Sequence, residues 1–190
     1  PVIDFDNIIA DLEKFMPAHL FEEIDDIFIG SFSENDDRAL EAHYESGAIY
    51  ITSDLSSNRD YIENIVHETA HSIEERMGLT IYGDGNLEAE FLGKRERLAA
   101  RISAEGFDIS GIDFSNPEYS EKLDLFFYED IGYKKLSNLT MGLFYSPYAA
   151  TSLREYFANG FEKYFLGQRQ YLPKIGQHLF IKLEEIITGE

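Results

Sequence analysis

Residues 57–78 carry the pattern that most restricts how this chain can fold. Ser57 or Asn58 can cap a helix N-terminus. Ile62, Val66, Ile73 and Met77 recur as an apolar stripe at helical spacing, and Gly78 is positioned to stop the helix. Within that helix the run "HETAH" sets His67 and His71 four residues apart, with Glu68 between them. Side chains four apart share a helix face, about 5 to 6 Å apart at Cβ, so the two imidazoles can bind one zinc ion. Glu68 is turned about a quarter turn from His67, toward the water that such an ion activates rather than the ion. That makes it the candidate general base. Shuffling a chain of this composition produces the same motif in roughly 1 to 2% of cases, so a third ligand has to be found before the motif means anything.

A catalytic zinc takes three protein ligands and leaves one position open. No histidine follows in "SIEERMGLT", and His19, His43 and His178 lack a comparable helical setting, so a glutamate is favoured. The candidates are Glu88 and Glu90 in "NLEAEFLGK" and Glu155 in "LREYFANGFEKYF". Glu90 stands 19 residues beyond His71, a spacing found in thermolysin-like enzymes. Its helix also carries Lys94, Arg95, Arg97 and Arg101, which reads as a solvated, salt-bridged face. Glu155 lies among Tyr156, Phe157, Phe161, Tyr164 and Phe165. A carboxylate there is expensive to bury alone, and a metal ion would supply its partner. Glu155 is the preferred ligand on that ground.

The rest of the chain frames this helix. The 190 residues are read as a single domain, 1–190, and the Pro1 start as a piece excised from a longer chain. Cysteine is absent, which excludes disulfides, thiolate metal sites and a cysteine nucleophile. A net charge of −20, spread along the sequence, argues against nucleic acid or an anionic membrane surface and favours basic partners. No apolar run approaches the roughly 20 residues needed to span a bilayer. Residues 4–24 read as helix interrupted at Pro17, 25–32 as a strand, and "SENDDRA" as an exposed loop. Residues 40–54 read as two strands joined at Ser46-Gly47. In "GAIYITSD" the second strand is either a sheet edge able to accept an extended peptide or a buried strand. Helices follow at 87–104, in the aromatic-rich stretch up to about 146, after Thr151 or Ser152, and after Pro173. Asp84, Asn86 and Glu88 alternate like a calcium loop, but Ala89 and Arg95 replace its required glycine and closing glutamate. The order predicts an α+β fold with a small sheet and a mostly helical C-terminal part.

"VHETAHSIEE" together with "SPYAATSLREYFANGFEKYF" resembles the catalytic domains of anthrax lethal factor-like metallopeptidases, which include the clostridial Pro-Pro endopeptidases. The resemblance implies a zincin-like domain holding Zn2+ and cutting protein or peptide substrates, of a kind secreted or delivered as an effector. In that family a helix reading roughly E-F/Y-F-A-E-x-F supplies the third ligand, which again falls on Glu155. A tyrosine seven residues earlier faces the site, which implies that Tyr148 is a donor to the reacting carbonyl oxygen. The closing "YLPKIGQHLFIKLEEI", with its proline before the last helix, also looks like the family's ending. Asn159 departs from the family's second glutamate and Gly160 from its alanine-like small residue. The 84 positions from His71 to Glu155 are about twice the usual length. These departures support an alternative expectation, a zincin-shaped binding or structural module without activity.

Overall fold

Ser46 and Gly47 both take positive φ, 48° and 87°. Such a pair makes the tight turn whose twist suits an antiparallel hairpin, and here it joins β2 (Ala42–Glu45) to β3 (Ala48–Thr52). A computed structural model describes residues 3–31 and 41–189; the "SENDDRA" stretch lies outside the described residues. Strand β1 (Asp26–Gly30) pairs with β3 in parallel on the other side, giving a mixed three-stranded sheet in the order β1-β3-β2. β3 is therefore the central strand, with Ala48, Ile49 and Ile51 buried. Of the two readings of "GAIYITSD", the buried strand is the one found, and β1 and β2 form the sheet's edges. Strand order depends on where β1 docks, which no local pattern in β3 encodes.

Helix α2 (Asn58–Tyr82) packs against β2 and β3, and other helices pack around it. Ser57 and Asp60 form a reciprocal capping box at its start, satisfying backbone donors that would otherwise be left over. Tyr61, Ile65, Val66, Ala70, Ile73 and Ile81 are buried, and each large apolar side chain so buried contributes about 1.5 to 3 kcal/mol. Gly78 does not stop the helix. A mid-helix glycine costs about 1 kcal/mol relative to alanine, and the last turn is held by buried Ile81 and by the Tyr82 hydroxyl, which donates to Glu74. The end falls at Gly83.

Before α2 come α1 (Phe5–Phe15), capped by Asp4, and a 3-10 turn after Pro17 at Ala18–Phe21. After it, α3 (Asn86–Ala104) corrects the expectation of a solvated basic face: Lys94 and Arg95 are buried. Lys94 donates to the Ile175 carbonyl, while Arg95 lies over the Phe91 ring and donates to the Asn116 carbonyl at 3.2 Å. The 106–117 loop leads into α4 (Glu121–Leu125), a π-helical turn at Phe126–Ile131, and α5 (Tyr133–Thr140). A 3-10 turn at Tyr148–Ala150 precedes α6 (Leu153–Leu166), whose first turn is capped by Ser152 accepting from the Glu155 N–H at 3.2 Å. The last expected helix is two: α7 (Leu172–Ile175), containing Pro173, and α8 (Gln177–Thr188), separated by extended Gly176. Gly160 is a packing requirement, because a Cβ there would meet Leu179 Cγ of α8 at 2.9 Å. The fold is α+β with a small mixed sheet and a predominantly helical remainder. Among the described residues no helix is long and apolar enough to cross a membrane.

Candidate metal centre

α2 and α6 pack directly against each other, and the sequence-predicted ligands meet at that contact. The Nε2 of His67 lies 3.1 Å from Glu155 Oε2, and the Nε2 of His71 lies 3.5 Å from Glu155 Oε1. Two ligands each about 2.0 to 2.1 Å from a tetrahedral zinc stand about 3.3 Å apart, so the observed separations have the spacing of a shared ion. All three side chains are largely enclosed, at 16%, 11% and 15% exposure. His67, Glu68 and His71 also offer ligand atoms within 4.8 Å of one another, a group able to hold a metal ion. Glu155 makes the direct contacts to both imidazoles, which leaves Glu68 as the carboxylate beside them.

The second nitrogen of each imidazole faces a carboxylate. His71 Nδ1 pairs with Glu74 Oε2 at 2.6 Å, and His67 Nδ1 faces Glu162 Oε2 at 3.6 Å, a charge contact longer than a hydrogen bond. Such partners fix ring orientation and aim Nε2 at the ion. Glu74 is held in turn by the Tyr82 hydroxyl and by Arg154 Nε at 3.5 Å. Glu74 and Glu162 were missed in the sequence, although the signal was present. Glu74 is three residues after His71, and Glu162 is seven after Glu155, so both recur on the faces that carry the ligands. Asn159 is buried one turn beyond Glu155, and its Oδ1 has no hydrogen-bond partner among the described residues.

Burial would lower both imidazoles, yet the hydrogen bonds to Glu155 and the Glu162 and Glu74 carboxylates outweigh it. They push His67 up to about 10 and His71 up to about 9. Burial would raise Glu155, but the two histidines hold it down at about 2. Glu68 is buried and shifts upward, chiefly through desolvation, with the two imidazoles and the Tyr44 backbone N–H opposing. A carboxyl raised by burial is a better proton acceptor than a solvated one. The Tyr44 contact also places edge strand β2 beside Glu68.

Tyr148 begins the 3-10 turn before α6, and its ring centroid lies 6.5 Å from that of His67. It is 37% exposed, so it borders the centre from the open side. Burial and the nearby Glu155 charge raise its hydroxyl, which keeps it protonated as a donor. The remaining candidates lie elsewhere. Glu90 accepts from the Tyr156 hydroxyl and the His178 N–H, both at 2.8 Å, and so caps α8. Glu88 is not part of the cluster. His19 approaches the Ile186 carbonyl at 3.3 Å, and His43 stacks on Tyr50.

The long segment between the two motif helices is tied back to the centre. The Pro117 carbonyl accepts from Leu153 N–H at 2.8 Å, two residues before Glu155, and the adjacent Asn116 is held by Arg95. Comparison with protein-family models, curated proteins and solved structures found no match to this chain.

Proposed function

We propose that the chain is a zinc-dependent endopeptidase with a zincin-like arrangement of the lethal factor type. His67, His71 and Glu155 would be its ligands, Glu68 its general base and Tyr148 its carbonyl-oxygen donor. The observation that carries this reading is the convergence of the two Nε2 atoms on the Glu155 carboxylate, with Glu68 buried beside them. The donor set of two imidazoles and one carboxylate suits zinc in a catalytic rather than a structural setting. When bound, the ion would act as a Lewis acid and bring the pKa of a water down toward about 7.

The chain's own residues supply the rest. Glu68 takes a proton from the attacking water and passes it to the leaving amine. Glu74 and Glu162 keep the imidazoles oriented. Tyr148 donates to the oxygen on which negative charge develops as the peptide carbonyl becomes tetrahedral. Strand β2, beside Glu68, offers a sheet edge along which an extended peptide can lie.

The test is metal content measured alongside peptide cleavage, with and without chelator, in the wild type and in Glu68→Gln. Wild type should cleave and lose activity with chelator, while Glu68→Gln should hold the same zinc and fall in rate by about 10²- to 10⁴-fold. A full equivalent of zinc with no cleavage by either protein would instead support the inactive binding module.

A further inference from the structure

A cavity of about 490 Å³ adjoins the candidate centre, with His71 and Glu74 in its wall. Gly78, also in the wall, lies two helical turns beyond His71 on the same face of α2. Nothing stands within 4 Å of where its Cβ would be. A glycine inside a helix weakens it relative to alanine, and no close packing or positive φ calls for one here. The absent side chain leaves the cavity open where any other residue would project into it.

The charge around the opening is net negative, since its lining carries several glutamates against Arg154. Arg154 Nε faces Glu74 at 3.5 Å. Glu45 of β2, Glu88 of α3 and Glu118 in the following segment also line the cavity, and among the described residues none of them has a cationic partner. Tyr44 and Leu153 add apolar wall. Long cationic side chains fit that combination, with the methylene stem on apolar surface and the charge at the acidic rim. The overall charge of −20 would further concentrate cationic peptides at the opening.

We propose that this cavity receives a lysine or arginine side chain adjacent to the bond that is cut, making the chain selective for basic peptides. The assignment rests on the peptidase reading, and the experiment separates the two. Zinc-loaded protein is titrated calorimetrically with matched peptide hydroxamates carrying lysine, norleucine or glutamate on either side of the chelating group. A mixed peptide library is cleaved in parallel. The lysine ligand should bind at least about tenfold tighter than norleucine, with glutamate weakest. The triple variant Glu45→Gln, Glu88→Gln, Glu118→Gln should bring that ratio close to one. Gly78→Met should exclude the lysine ligand while zinc content and thermal stability are kept.

Equal affinity for lysine and norleucine in the wild type overturns the cationic pocket, whether or not the library is cleaved. Lysine selectivity that survives both variants also overturns it. Discrimination without any cleavage sinks the peptidase reading and retains the pocket. Failure to bind zinc overturns both.

Discussion

Glu162 Oε2 faces His67 Nδ1 at 3.6 Å, on the far side of the ring whose Nε2 meets Glu155 at 3.1 Å. One helix therefore presents two carboxylates, two turns apart, to opposite nitrogens of one imidazole. Removing the outer charge should loosen ring orientation without emptying the site. Glu162→Gln is expected to weaken zinc affinity by about 10- to 100-fold, measured by competition with a chromophoric chelator. Unchanged affinity would make Glu162 a bystander paired only with Lys163, its 2.5 Å neighbour.

Tyr148 borders the centre, its ring 6.5 Å from that of His67, and stands outside the proposed ligand set. Tyr148→Phe should therefore keep a full complement of zinc and a near-native KM while kcat falls by about 10²- to 10³-fold. A variant as fast as wild type would return Tyr148 to an ordinary half-exposed aromatic.

In the metal-free protein the cluster is held by protons, and the direction of its pH response follows. His67 and His71 are raised to about 10 and about 9, so their contribution to stability is complete below the unfolded value of 6.5. It is lost as pH rises through 9 to 10. Glu155 is lowered to about 2, so its contribution is present above 4.5 and is lost as pH falls toward 2. The melting temperature of metal-free protein should therefore decline between about pH 7 and pH 10. Zinc competes with these protons, so its binding near pH 7 should release protons and tighten as pH rises through the same window. Calorimetry in buffers of different ionisation enthalpy measures that release, and a zero proton count would contradict it.

The features that the sequence disclosed are those encoded by local period or local chemistry. The Ser46-Gly47 turn pair announced its hairpin, the spacing of His67 and His71 announced a shared face, and the apolar setting of Glu155 marked a carboxylate in need of a partner. What stayed hidden depends on tertiary contact. Gly78 reads as a helix stop until Ile81 and Tyr82 are seen anchoring the next turn. Arg95 reads as a solvated charge, yet it is fully buried and clasps the Asn116 carbonyl. β3 reads equally well as edge or centre, because only the docking of β1 decides. Glu162 stands seven residues after Glu155, a legible spacing, but only the packing of α6 on α2 sets it against His67 Nδ1.

Zinc titration of wild type against Glu155→Ala probes the shared site without reference to any substrate. With three ligands converging, wild type should bind one equivalent, and Glu155→Ala should bind it at least about 100-fold more weakly while remaining folded by circular dichroism. Equal affinity in the two proteins, or no stoichiometric zinc in the wild type, would contradict a metal centre built from His67, His71 and Glu155.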